Sequence, residues 1–110
     1  MYVVIFRSRL RDEARDEYAV WGREIGQLAA QQPGYISDKT FTASDGERVT
    51  IAEFDSEESI RAWQQHPRHL EAQQKGRDNF YSQYHLQVCP VARAYGWERD
   101  SQAVEEVKNK

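Results

Sequence analysis

The chain has no surplus of positive charge: 15 Lys and Arg stand against 18 Asp and Glu, and neither cation forms a block. Attraction to nucleic acid or an anionic bilayer feeds on such a surplus, so both are poor partners. No apolar run approaches the roughly 20 residues that span hydrocarbon. The opening MYVVIFRSRL places apolar residues ahead of charges, the reverse of a secretory leader. Cysteine is almost absent. The single Cys89 excludes an internal disulfide, fits a reducing cytoplasm, and reads as a small buried hydrophobe on a strand rather than a reactive thiol. Glycine-rich dinucleotide fingerprints, flavin motifs and P-loops are missing too. What remains is one domain of 110 residues, long enough to bury a core without staples.

Hydrophobic period supplies the elements. Tyr2 to Leu10 reads as a strand, since Val3, Val4, Ile5 and Phe6 are consecutive β-formers. Apolar residues on both of its faces imply that both are covered, one by helices and the other by a second subunit. Glu13 to Gln32 reads as a helix: Ala14, Tyr18, Trp21, Ile25 and Leu28 form one stripe, Asp12 is its N-cap, Pro33-Gly34 stops it, and Trp21 belongs to the core. Tyr35 to Ala43 and Arg48 to Phe54 are strands joined by a turn containing Asp45-Gly46. Asp55 with Glu58 makes a capping box for a second helix, whose inward stripe is Ile60, Trp63, Pro67 and Leu70. Pro67 should kink or restart that helix, Gly76 should end it, and Asp78 to Gln83 leaves room for a further turn. Tyr84 to Trp97 reads as the last strand, with Leu86 and Val88 on one face and Cys89 and Val91 on the other. Pro90 marks a bulge or open edge in it, and residues 98–110 form a charged tail, partly ordered or frayed.

The order β-α-β-β-α-β is the ferredoxin-like α+β pattern, with a four-stranded antiparallel sheet carrying both helices on one face over residues 1–97. An apolar opposite face would be a sticky patch on a monomer, which points to a homodimer packed sheet to sheet.

The run Ser56-Glu57-Glu58-Ser59-Ile60-Arg61-Ala62-Trp63, followed by His66, His69, Gln73, Gly76-Arg77, Phe80-Tyr81 and Tyr84, resembles the antibiotic biosynthesis monooxygenase (ABM) family. Pro33-Gly34-Tyr35 and Arg93-Ala94-Tyr95 extend the resemblance from Tyr2 to Trp97. It implies a dimeric α/β barrel with a pocket between the second helix and the sheet of each subunit. Some members oxidise phenols or quinols with O2 and no cofactor, some bind and degrade haem, and many have no established activity.

Three readings follow. In a cofactor-independent monooxygenase the substrate itself reduces O2, and the protein supplies a dry pocket, a proton acceptor and anion stabilisation. Trp63 and Tyr81 would wall that pocket and Gln73 would share its helix side. His66 or His69 would take the proton, and Arg77 or Arg93 would hold an oxyanion. Against this, Trp63 also suits simple packing, and His66, just before Pro67, suits a helix cap. The two His have no Cys or Glu at a recognised metal spacing, so no metal is expected. In the haem reading Trp63 is in place, but the first strand ends Arg7-Ser8-Arg9 and the expected ligand position falls near Gln73, which cannot replace imidazole. The third reading is a dimeric binder of a small aromatic molecule with no turnover. Arg93, Tyr95 and Trp97 alternate on one strand face and are assigned to the dimer interface.

Overall fold

The computed structural model describes residues 1–99 and the backbone of Val104–Val107. Strand β1 (Tyr2–Leu10) is followed by a 3-10 turn (Asp12–Ala14) and helix α1 (Arg15–Ala29). Strands β2 (Tyr35–Thr42) and β3 (Arg48–Phe54) form the hairpin. Helices α2 (Glu57–Gln64) and α3 (Pro67–Lys75) follow, then a π turn (Gly76–Phe80) and strand β4 (Tyr81–Pro90). The sheet has the order β2-β3-β1-β4, every neighbouring pair antiparallel, which is the ferredoxin-like α+β arrangement.

Alternation along β1 sorts its side chains. Val4 pairs with Ala52 on β3 and Val88 on β4, and this rung faces the helices. Ile5 pairs with Ile51 and Gln87 on the opposite face. Val4, Phe54, Ile60 and Trp63 are the buried heart of the core, with Tyr2, Ile25, Leu28 and Ala29 packed around it. Cys89, opposite Val3, lies on the face turned away from the helices and is half-buried rather than buried.

Two glycines are required by backbone shape. Gly46 turns the hairpin at φ +92°. Gly34, at φ +86°, accepts a hydrogen bond from the Asp55 amide at 2.8 Å and lies so close to α2 that a Cβ there would sit 2.1 Å from the Ser59 hydroxyl.

Several boundaries differ from the sequence reading. The first helix opens with the 3-10 turn, so Asp12 is not its cap and instead pairs with Arg15 at 3.6 Å. Its end tightens into three-residue turns, Gln31 to Leu28 and Gln32 to Ala29, because Pro33 disfavours helical geometry in the residue before it. Ser56, not Asp55, caps α2: its extended backbone aims the hydroxyl at the Ser59 N–H, 3.1 Å away, while Asp55 accepts from the Ser59 hydroxyl at 2.7 Å. Pro67 restarts the helix as expected, but Pro67 and Leu70 do not continue the inward stripe, and Leu70 is exposed. The break re-aims the new helix axis, and α3 turns His69, Ala72 and Gln73 toward the sheet. The last strand is also divided. β4 begins at Tyr81 and stops at Pro90, whereas Ala94–Trp97 (β5) pairs antiparallel with Val104–Val107 (β6) in a separate two-stranded sheet. The remainder of the charged tail lies outside the described residues.

Candidate active site

Between the helices and the sheet the molecule is not filled. A cavity of about 550 Å³ lies there, far larger than the water-sized voids of a close-packed interior and within the range of small-molecule sites. Its floor is the helix-facing side of the sheet, including Val4, Phe6, Ala52 and Leu86, and its roof is Ile25 and Ala29 of α1 with Ile60 and Trp63 of α2. Polar side chains enter at a few places. His69, Gln73 and Gln64 come from the broken helix, Asp38 and the paired Thr40 and Thr50 hydroxyls from the hairpin.

The break at Pro67 creates the main constellation. His66 is the N-cap of α3, its Nδ1 accepting the Arg68 N–H at 3.1 Å. Three residues on, His69 stacks flat on Trp63, with ring centroids 4.4 Å apart and planes 17° from parallel. Its Nδ1 lies 3.1 Å from the Trp63 carbonyl oxygen. A carbonyl only accepts, so Nδ1 carries the proton and Nε2 holds the free lone pair. Burial pushes the His69 imidazole below its ordinary pKa, outweighing the carbonyl bond that favours the cation.

A chain of aromatics closes the other end. Tyr81 meets Phe6, Tyr18 and Tyr84 at centroid distances of 5.5, 5.7 and 5.7 Å. Burial, reinforced by the neighbouring Tyr18 phenol, holds the Tyr81 hydroxyl far above the usual phenol range, so it is a proton-bearing group. Gly76 makes this placement possible: a Cβ there would lie 2.7 Å from the Tyr81 ring.

Of the residues singled out from sequence, the fold gathers Trp63, His69, Gln73 and Tyr81 around one cavity. His66 and Arg77 are not in its lining. His66 caps a helix, and Arg77 is exposed and donates to Gln74 at 3.0 Å. Arg93 precedes β5 and so does not share a strand with Tyr95 and Trp97 as expected; none of the three lines the cavity, and Tyr95 and Trp97 are largely exposed.

Sequence reasoning missed Asp38 and Tyr35. The Tyr35 hydroxyl donates to Asp38 Oδ2 at 2.6 Å, and this bond pushes the phenol up to about 12. A bulge between Tyr35 and Ser37 puts both side chains at the cavity, where plain alternation would separate them. An aspartate inside a strand was the available signal. Trp21, assigned to core packing, also lines the cavity, its ring covered by the cations of Arg68 and Lys75 at 5.0 and 5.6 Å. Among the described residues no group of three His, Cys, Asp or Glu is gathered for a metal ion, and no helix is long and apolar enough to cross a membrane.

A split-helix α+β domain with a largely apolar pocket walled in part by an indole has the form of a small-molecule site. The family model for antibiotic biosynthesis monooxygenase matches residues 1–75, and the chain belongs to that family. It is 34% identical over 92 residues to the uncharacterized protein YqjZ of Bacillus subtilis, covering 84% of this chain and 80% of that one. It is 28% identical over 93 residues to the jasmonate monooxygenase ABM of Pyricularia oryzae. That match covers 83% of this chain but 43% of the relative, so the chain spans less than half the relative's length. The crystal structure of SnoaB, a cofactor-independent oxygenase from Streptomyces nogalater, shares the fold with a TM-score of 0.65. The two are 19% identical, and the match covers 78% of this chain and 89% of that one.

Proposed function

We propose that the protein is a cytoplasmic, homodimeric monooxygenase that uses O2, without cofactor, to oxidise a small phenol or quinol held against Trp63. The observation that carries this reading is the His69–Trp63 pair, a neutral imidazole with a free nitrogen at the edge of a largely apolar cavity. Membership of a monooxygenase family supports it, and SnoaB, which shares the fold, is a cofactor-independent oxygenase.

The chemistry balances without an external reductant. His69 Nε2 takes the phenolic proton, and the phenolate passes one electron to O2, giving an aryloxyl radical and superoxide. Their coupling at the ring carbon para to the oxygen forms a C–O bond. The imidazolium returns its proton to the distal peroxide oxygen. Loss of the para C–H proton to water, with O–O cleavage, leaves a quinone. Phenol and O2 thus become quinone and water, the substrate supplying all the electrons. An apolar pocket keeps water from the radical pair, and Trp63 orients the ring by stacking. Gln73 and Tyr81 are assigned to substrate contact. Arg77 is left to the surface, and Arg93, Tyr95 and Trp97 to the contact between subunits.

The sheet face carrying Ile5, Ile51, Val49 and Phe41 supports the dimer, since Ile51 and Phe41 are exposed in a single chain. The haem reading lacks such support: Gln73, at the expected ligand position, offers a carboxamide. The test is incubation with a panel of anthrones and phenols with a free para position under 18O2 and under argon. Quinone formed with oxygen alone, carrying one atom of 18O, and lost in His69→Ala, establishes the reaction. Equal product under argon, or none with any substrate while ligands still bind, sinks it in favour of a binding protein.

A further inference from the structure

Beside the apolar cavity lies an open cleft of about 630 Å³ with a different character, lined by Arg9, Arg15, Arg23 and Arg48 together with Asp12 and Asp45. The two spaces share Tyr18, Gly22 and Thr40 in their walls, so they are adjoining compartments. Two of the four arginines are already neutralised: Arg9 pairs with Asp45 at 2.9 Å and Arg15 with Asp12 at 3.6 Å. Arg23 and Arg48 have no carboxylate in ion-pair range among the described residues, which leaves the cleft with two uncompensated cations.

Arg48 is the better placed. By strand alternation it shares the helix-facing side of β3 with Thr50 and Ala52, both in the cavity wall, and it starts about 7 Å along the strand from Thr50. Its guanidinium lies over the Tyr18 ring, 4.8 Å from the centroid. Stacking occupies the flat face and leaves the edge N–H groups to bind a planar anion. A half-buried arginine with no counterion is costly unless a ligand provides one.

We infer that the substrate is an amphipathic carboxylic acid, whose ring enters the Trp63 cavity while its carboxylate is bound by Arg48, with Arg23 adding charge at the mouth. This rests on the oxygenase reading for the ring, whereas the anion site is carried by the cleft alone. One end of the molecule is then fixed by charge and the other by stacking, which sets the ring's orientation toward His69.

The test uses 6-hydroxy-2-naphthoic acid and its methyl ester, titrated under argon into the full chain by calorimetry. The acid should bind about tenfold more tightly than the ester, the size expected of a hydrogen-bonded charge pair. The preference should shrink as salt is raised. Arg48→Gln should bring the acid to the ester's affinity and leave the ester unchanged, Arg48→Lys should retain part of the preference, and Arg61→Gln, on the exposed face of α2, should change nothing. Equal binding of acid and ester by the native protein, or a preference that survives Arg48→Gln, overturns the anion site alone. If neither compound binds, the anion site and the aromatic pocket fail together.

Discussion

The imidazole of His69 lies flat on the indole of Trp63, and its Nδ1–H donates to the carbonyl of that same residue. One residue therefore sets both the tilt and the tautomer of the imidazole. The other histidine of the broken helix, His66, serves as a cap. Replacing each separates the two roles. His69→Gln should lower kcat/KM for a phenolic substrate by about 10² to 10⁴-fold, the usual contribution of a positioned general base, with the fold intact. His66→Ala should instead cost about 1 kcal/mol of stability through the lost cap, with turnover nearly unchanged and His66→Asn restoring it. Oxygen-electrode rates and urea melts on the same three variants check both.

The pH dependence follows from the burial of His69, which depresses its pKa. The neutral base should persist below the ordinary imidazole range, so the acid limb of the kcat/KM profile should lie under about 6.5. Stability is linked in the same direction. Between the unfolded and folded pKa values the unfolded chain binds the proton and the folded one does not, so stability falls as pH drops through that window and levels off beneath it. His69→Gln should flatten this part of a Tm-against-pH curve.

Gly76 has ordinary helical dihedrals, so an alanine there is harmful only through its contact with the Tyr81 ring. Gly76→Ala should destabilise by about 1–3 kcal/mol, the usual cost of overpacking. In a Tyr81→Ala background most of that penalty should vanish. A double-mutant cycle in urea measures the coupling.

Gly34 and Gly46 share a positive φ but not their surroundings, since an added Cβ meets nothing near Gly46 and meets Ser59 and Asp55 at Gly34. Gly46→Ala should cost only the conformational penalty of about 1 kcal/mol. Gly34→Ala should cost clearly more, and thermal melts rank the pair.

The outward sheet face tests the dimer. Ile51→Lys puts a charge beside Ile5 at the centre of that face and should convert a dimer to a monomer in sedimentation velocity at micromolar concentration. A native chain that sediments as a monomer at the same concentration would remove the barrel from the proposal.

Much of the fold could be read along the chain because its signals are local. Asp45-Gly46 marks the hairpin and Pro67 marks the helix restart wherever they fall in space. Helix spacing placed Trp63 on the inward stripe of its helix, and the family resemblance placed Trp63 and Tyr81 in a pocket wall, where both line the cavity. Asp38 was not legible, since whether its carboxylate faces the cavity depends on pairing with Ala52 and on the bulge before Ser37. Nor was the inward turn of His69, because its direction depends on the angle between α2 and α3, whereas spacing alone suggested Leu70 as the inward residue.

The order of residues dictates which segments are strands and helices, where the chain turns, and that no internal disulfide holds it. These are properties of a few neighbouring residues and their allowed dihedrals. Packing in three dimensions settles which imidazole faces the cavity and which caps a helix, that Asp38 joins Tyr35, and that Arg48, beside a pocket, has no counterion among the described residues. Each of those depends on register and on the mutual tilt of packed elements, which bring together atoms that sequence distance keeps apart.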